Sequence, residues 1–219
     1  MLLDYKRKTM NRNLFVAVKS HLGSSEPPEP PEPLTIGDIN STIYDAKQPI
    51  YFYYDYQVTF LLFTPSEMGS AKTISEVAFQ MANTYSSTYT ANNQTMKLAH
   101  CTDTEFGSNA KSDLTGISGL SDLTTVKSNY VWTVNTVEEF KPIPLTTNFQ
   151  YNGVDSLLVI IEDRDGTYIS GTSSNPKAVV TSNNNTFNVW YKYQDGSFPT
   201  SSFGTRDSSG RVNTRFTFV

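Results

Sequence analysis

Residues Leu157–Ile161 have the sequence LLVII, an unbroken run of branched apolar side chains. Such a run is typical of a central β-strand that is covered on both faces. Two turn signals flank it, Asn152-Gly153 on one side and Asp165-Gly166 on the other. The run therefore predicts the middle strand of a sheet with no solvent-exposed face at that position.

Alternation of apolar and polar residues continues outward from this run. In residues 75–81, Val77, Phe79 and Met81 share one face of an extended chain. The other stretches of strand type are residues 35–36, 51–63, 95–100, 130–134, 140–145, 187–193 and 214–218. About nine strands at this spacing predict an all-β, jelly-roll-like sandwich of two sheets. The polar stretch 108–128 predicts either one short helix or a loop.

The composition agrees with an all-β body. Charged residues make up 17% of the chain, and tyrosine and phenylalanine each occur 13 times. Few charges and many aromatic residues favour strands joined by polar turns. The aromatic rings can fill the core of a sandwich although only 37% of the residues are hydrophobic.

A proline-rich block, EPPEPPEP at residues 26–33, divides the chain. It predicts a polyproline II spacer, which at about 3.1 Å per residue would extend roughly 25 Å. A ligand for a polyproline-binding domain and an inert linker are the alternatives. The predicted organisation is an N-terminal arm (1–25), the spacer (26–33) and one sandwich domain (34–219), since the arm is too short to bury a core alone.

The arm has a basic start and a short apolar segment. The apolar residues fit a strand through their alternation, and they also fit a helix, because some of them recur at every fourth position. A peptide with an apolar face and no core of its own suggests folding onto a partner, and a disordered end is the alternative. The predicted anchoring residues are Leu14, Phe15, Val16, Val18 and Leu22.

Charge and hydropathy exclude several classes of partner. Residues 34–219 are acidic, with 12 basic and 17 acidic side chains, which argues against nucleic-acid binding by the body. The longest apolar runs are far shorter than the roughly 20 residues of a membrane-spanning helix. The apolar run near the start is also too short for a secretory signal, so we do not expect export by the general secretory route.

Candidate metal ligands are few. Asp163 and Asp165 share one side of a strand end and could hold a calcium ion, with a plain hairpin turn as the favoured alternative. His100-Cys101 lacks enough companions for a zinc site, because His21 is the other histidine. Cys101, the single cysteine, is expected to be a small buried hydrophobe. No other cofactor is expected.

Neither a nucleophile elbow of the Gly-x-Ser-x-Gly type nor a phosphate-binding glycine loop occurs in the sequence. We therefore expect a binding protein and not an enzyme. Exposed aromatic rings beside polar side chains are the usual means of sugar binding, and the alternative for rings at strand spacing is burial in the core. The candidate glycan-binding residues are Tyr168, Trp190, Tyr191 and Tyr193, with similar chemistry at Tyr53, Tyr54 and Tyr56.

Several short stretches of the body resemble the β-sandwich adhesin domains of Bacteroidetes surface proteins, including the haemagglutinin-adhesin domains of gingipain-type proteins. They are Thr35-Ile36-Gly37, FTPSEMG at 63–69, Val77-Ala78-Phe79, MKLAHCT at 96–102, FQYNG at 149–153 leading into SLLV at 156–159, and Arg215-Phe216-Thr217-Phe218. The resemblance covers residues 35–218 approximately. It implies a jelly-roll sandwich with a binding role and no catalysis.

The arrangement of the chain differs from that of the family's members, whose domains usually lie late in long secreted chains. Here an arm and a proline spacer precede a single domain. This layout leads us to expect a phage virion surface protein, a head fibre or capsid decoration. It would be anchored to a capsid or other virion protein through the arm, assembled in the host cytoplasm as a dimer or trimer, and would display the sandwich to surface glycans. The first alternative is a Bacteroidetes carbohydrate-binding adhesin, cell-surface or extracellular, and the second is a non-catalytic subunit of a glycan-degrading system.

Overall fold

The computed structural model describes Glu29 and residues 31–83, 87–135, 137–169 and 175–219. The predicted anchoring arm lies outside these residues, with all of its apolar positions Leu14, Phe15, Val16, Val18 and Leu22. Half of the predicted spacer also lies outside them. Its described residues, Glu29 and 31–33, are exposed.

The described chain is almost entirely β-structure, with one short helix. The strands are β1 (Leu34–Ile36), β2 (Ile43–Asp45), β3 (Tyr56–Phe63), β4 (Lys72–Met81), β5 (Tyr89–Cys101), β6 (Ser121–Val134), β7 (Glu139–Tyr151), β8 (Ser156–Asp163), β9 (Ala178–Thr181), β10 (Val189–Gln194), β11 (Thr205–Asp207), β12 (Arg211–Val212) and β13 (Thr214–Phe218). Helix α1 (Pro65–Met68) follows β3, and Thr64 caps its start.

The strands form two packed antiparallel sheets. In the first sheet, β1, β13, β4 and β7 are neighbours in that order, and β9 joins at the end of β4 with β2 and β12 beside it. In the second sheet the order is β11-β10-β3-β8-β5-β6. The eight principal strands, β1-β13-β4-β7 facing β3-β8-β5-β6, have the strand order of a jelly roll. The predicted all-β, two-sheet sandwich is therefore confirmed.

Strand β8 lies between β3 and β5 and is buried along its whole length, as its LLVII sequence predicts. Leu157, Val159 and Ile161 face the core between the sheets. Leu158 and Ile160 face the opposite side, where a second apolar cluster lies. Each fully buried side chain of this kind contributes about 1.5–3 kcal/mol. The double burial makes β8 the centre of the fold.

The second apolar cluster covers the outer face of the second sheet. Phe106 and Ala110, from the segment between β5 and β6, pack onto it with Phe60 and Trp190. This segment is irregular through Leu120, so of the two predictions for residues 108–128 the loop is correct for its first part. The second part is strand β6, which begins at Ser121.

Other sequence predictions hold in part. Val77, Phe79 and Met81 all face the inter-sheet core, as their alternation predicts. Cys101 is buried, also as predicted. The predicted strand 51–63 begins only at Tyr56, and the residues before it form a loop.

The Asn152-Gly153 turn connects β7 in the first sheet to β8 in the second. Gly153 has φ +75°, and a Cβ there would lie 2.4 Å from the backbone nitrogen of Ala71. A glycine is therefore required both by the backbone conformation and by the close approach of the neighbouring chain. The residues at Asp165-Gly166 likewise leave β8 without forming a hairpin, because the next described strand, β9, belongs to the first sheet.

Candidate functional site

Four tyrosines converge at the end of the second sheet where β3 begins and β10 ends. We call Tyr51, Tyr53, Tyr54 and Tyr193 the tyrosine patch. Tyr54 stacks on Tyr193, with ring centroids 4.3 Å apart and ring planes at 30°. Tyr51 meets Tyr193 edge-on at 5.3 Å, and Tyr53 meets Tyr54 edge-on at 5.3 Å. All four rings are half-buried, so they form a continuous aromatic surface that remains in contact with solvent.

A buried layer supports this surface from below. Tyr191 and Tyr193 occupy alternate positions of β10 and so project on the same side, with ring centroids 5.8 Å apart and planes at 16°. The ammonium group of Lys47 lies 5.7 Å from the centroid of the Tyr191 ring. Tyr191 is therefore fixed between a strand neighbour and a cation.

Burial raises the pKa of several tyrosine hydroxyls in and beneath the patch, which favours their neutral form. Burial raises the pKa of Tyr191 to about 12. Burial also raises the pKa of Tyr51 and of Tyr54. Burial alone would lower the pKa of Lys47, but attraction and a hydrogen bond to Tyr191 outweigh it, and the net shift is upward. Protonated phenols both donate and accept hydrogen bonds, which suits a hydroxyl-bearing ligand.

One buried glutamine holds the loop that carries most of the patch. The side chain of Gln57 accepts a hydrogen bond from the backbone nitrogen of Tyr51. Its Nε2 donates to the carbonyl oxygen of Lys47 at 2.8 Å and to Oγ1 of Thr59 at 2.6 Å. Because the amide bonds the loop on both sides, it fixes the position of Tyr51 relative to β3.

Asp55 joins the loop to two neighbouring segments. Its carboxylate accepts a hydrogen bond from the backbone nitrogen of Gly196 at 3.0 Å, and its own nitrogen donates to Asp195 at 3.4 Å. Its carbonyl oxygen accepts from the backbone nitrogen of Gly166 at 3.0 Å. Two carboxylates thus lie beside the aromatic surface, where they can accept bonds from ligand hydroxyls as well.

The structure separates the candidate glycan-binding residues into two groups. Tyr193 belongs to the patch, and Tyr168 is 61% exposed on the segment after β8. Trp190 is only 1% exposed, because it stacks on Phe60 at 4.6 Å and because Gly204 lies against its ring. Tyr191 is buried as well.

Burial corrects the sequence interpretation of Trp190 and Tyr191, since neither presents a ring face to solvent. Tyr53 and Tyr54, which share the same chemistry, do belong to the patch. Tyr56 is half-buried, and its hydroxyl oxygen lies close to Gly166.

The two candidate calcium ligands, Asp163 and Asp165, already accept hydrogen bonds from N–H groups. Asp163 is 3% exposed, and its Oδ1 accepts from Nε2 of Gln94 and from the backbone nitrogen of Asp165 at 3.1 Å. Asp165 accepts from the backbone nitrogen of Asn92 at 3.1 Å. Within the described ranges, no three His, Cys, Asp or Glu side chains come together as a metal site would require. Calcium binding at these residues stays a prediction.

Burial gives Asp163 a distinct electrostatic character. It raises the pKa of this carboxyl to about 7, although the hydrogen bonds from Gln94 and Asp165 act in the opposite direction. Asp163 faces Gln57 across the β3–β8 pair, at the same end of the sheet as the patch.

Sequence reasoning did not single out several residues of the site, namely Lys47, Tyr51, Asp55, Gln57 and Asp195. The three tyrosines within residues 51–54 indicate an aromatic cluster, but the sequence pattern places them in a predicted strand, 51–63. Gln57 gave no signal, because a polar residue at the start of a strand is ordinarily exposed.

No known protein family, curated protein or solved structure matches this chain. In the part of the chain that the structure describes, no helix is both long enough and apolar enough to cross a membrane.

Proposed function

We propose that this protein is a non-enzymatic binding protein that presents the tyrosine patch to saccharides. The observation that carries the proposal is the stacked pair Tyr54 and Tyr193, which forms the middle of a solvent-facing aromatic surface. Aromatic rings contact the C–H faces of a sugar ring, while flanking polar groups bind its hydroxyls. The carboxylates of Asp55 and Asp195 and the tyrosine hydroxyls supply these polar groups.

We further propose that the sandwich is displayed on a phage virion, as part of a head fibre or capsid decoration protein. The support is the layout of the sequence, with a basic arm and a proline spacer ahead of the sandwich domain. Single-site sugar contacts are weak, so display of several copies as a dimer or trimer would raise the apparent affinity through avidity. The capsid or another virion protein is the proposed partner of residues 1–25.

A glycan array tests the saccharide proposal. We expect the full chain, coupled to a multivalent support, to bind a subset of glycans, and Tyr54→Ala or Tyr193→Ala to lower the affinity by up to about tenfold. Tyr44→Ala is the matched control, because Tyr44 is a partly exposed tyrosine on β2 in the other sheet. A blank array, or equal losses in the control, would reject the saccharide proposal.

Mass spectrometry of purified virions tests the proposal that the protein is part of a phage particle. We expect peptides of this protein in intact particles, and we expect deletion of residues 1–25 to abolish its incorporation. Recovery from cell envelopes and not from particles would favour a cell-surface adhesin instead. Unchanged incorporation of the deletion variant would show that the arm is not the anchor.

A further inference from the structure

A cavity lies at the opposite end of β3 from the tyrosine patch. It has a volume of about 290 Å³ and opens to solvent between the end of β1, the start of α1, the segment after β9 and Arg211. We call it the asparagine pocket. It shares no lining residue with the tyrosine patch. Its polar lining includes Thr64, Glu67, Asn183, Asn188 and Arg211.

An ion pair forms the fixed wall of the asparagine pocket. Arg211 is 7% exposed, and its guanidinium lies 4.2 Å from the centroid of the Phe63 ring. It donates hydrogen bonds to the carbonyl oxygen of Leu62 and to Glu67. Glu67 also accepts from the backbone nitrogen of Thr64 at 2.8 Å and from its hydroxyl at 3.0 Å. The wall is therefore rigid before any ligand arrives.

The charges of this pocket cancel. Glu67 and Arg211 are the charged side chains that line it, and they neutralise each other. A ligand with a net charge would meet no unmatched opposite charge here, whereas a neutral polar ligand would meet both donors and acceptors.

Two asparagines that line the pocket each have one buried amide atom without a hydrogen bond. Asn188 is 8% exposed, and its Oδ1 is buried without a protein partner. Nδ2 of Asn183 is also buried without a protein partner. An unpartnered buried polar group costs about 1–3 kcal/mol, so such groups are ordinarily satisfied by a ligand or by water. One of these two groups accepts hydrogen bonds and the other donates them.

We propose that the asparagine pocket binds one neutral monosaccharide unit. An alcohol hydroxyl both donates and accepts, so once the two amides turn toward the cavity, adjacent hydroxyls of a sugar can donate to Asn188 Oδ1 and accept from Asn183 Nδ2. The carboxylate of Glu67 and the hydroxyl of Thr64 offer further partners on the fixed wall. A cavity of about 290 Å³ is at the lower limit for ligand pockets and suits a single sugar ring. The proposal shares its ligand class with the proposed function but concerns a separate site.

The probes are the methyl glycosides of D-mannose, D-galactose, D-glucose, L-fucose and N-acetyl-D-glucosamine, titrated into the full chain with saturation-transfer NMR detection. We expect at least one to bind saturably. Asn188→Leu should lower that affinity about threefold or more, because the acceptor is lost while the side-chain size is kept. Asn183→Asp should do the same by replacing a donor with an acceptor. It serves as the second variant if Asn188→Leu fails to fold as judged by circular dichroism.

Asn185→Asp is the matched control, since Asn185 is exposed in the same loop and does not line the pocket. Binding of the variants that equals binding of wild type, or no saturable binding of any of the five glycosides, overturns the pocket proposal. Tyr54→Ala, measured in the same titration, separates the two sites. A loss confined to Tyr54→Ala would support the tyrosine patch and overturn the pocket, and a loss confined to the asparagine variants would do the reverse. The methyl glycoside of N-acetylneuraminic acid, which carries a negative charge, should not bind. Tighter binding of this glycoside than of every neutral sugar would overturn the proposal that the ligand is neutral.

Discussion

The two ends of β3 each hold a carboxyl group, and the pKa values of the two groups shift in opposite directions. Asp163 lies beside Gln57 at the first end, where burial raises its pKa to about 7. Glu67 lies beyond Phe63 at the other end. Burial would raise its pKa too, but the hydrogen bond and attraction to Arg211 outweigh that effect and lower it.

The difference shows that burial raises the pKa of a carboxyl unless a nearby guanidinium and hydrogen bonds outweigh it. The first end combines uncharged amides with an aromatic surface, and the second combines a charge pair with polar amides. Three substitutions test this contrast.

The largest effect is expected for Arg211→Met. The variant removes a buried cation, leaves Glu67 without its partner, and should lower the free energy of unfolding by about 3 kcal/mol. Urea unfolding at pH 7, followed by tryptophan fluorescence, measures it. Arg215→Met is the control, since Arg215 lies over the Phe140 ring at 4.8 Å and is only half-buried. Equal losses for both variants would contradict the special role of the Glu67 pair.

A smaller effect, of opposite sign, is expected for Asp163→Asn. Because the folded-state pKa of Asp163 is raised, the folded protein binds this proton more tightly than the unfolded chain. The stability that this provides is complete below about pH 4 and is lost as the pH rises through about 7. Asparagine keeps the acceptor for Asp165 N–H without the charge, so the variant should be more stable than wild type at pH 8 by about 2 kcal/mol.

Urea unfolding at pH 4, 6 and 8 measures how the free energy of unfolding changes with pH. Asp165→Asn is the control, and it should keep the decline in stability between pH 4 and pH 7. A wild-type protein whose stability rises steadily across that range, with no change in Asp163→Asn, would show that Asp163 is ionised in the fold.

The smallest effect is expected for Glu67→Gln. The pKa of Glu67 is lowered in the fold, so its stabilisation is present above its unfolded pKa and is lost as the pH falls through the folded value. Glutamine keeps some hydrogen bonding to Arg211, and the side chain is partly exposed, so the loss at pH 7 should be about 1 kcal/mol. Thermal unfolding at pH 7 and pH 3 checks it, because the difference in stability between wild type and variant should narrow as the pH falls. A difference of the same size at both pH values would assign the effect to packing.

The sequence predicts the fold well where side-chain patterns are local. The LLVII run at 157–161 and the alternation of Val77, Phe79 and Met81 depend only on neighbouring residues, so strand type and burial follow directly. The start of β3 does not follow, because Tyr51 to Tyr54 have strand propensity while the buried amide of Gln57 holds them in a loop.

The candidate sites depend on contacts that are distant in sequence. Trp190 is buried because the segment between β5 and β6 and the residue Gly204 cover the outer face of the second sheet. Nothing within β10 itself signals that cover. The asparagine pocket joins Thr64 and Glu67 to Arg211, which are more than 140 positions apart along the chain. Its two unpartnered amides become visible only when the three-dimensional arrangement is known.

The pairing of β1 has a mechanical consequence. This strand is three residues long and is bonded to β13 through Leu34–Phe216, Thr35–Arg215 and Ile36–Thr214. Tension transmitted along residues 31–33 reaches these three pairs before any other part of the sandwich. β1 would detach first and lengthen the tether by a few residues, while β8 and the tyrosine patch remain folded. The asparagine pocket would lose the part of its wall that Ile36 and Gly37 form.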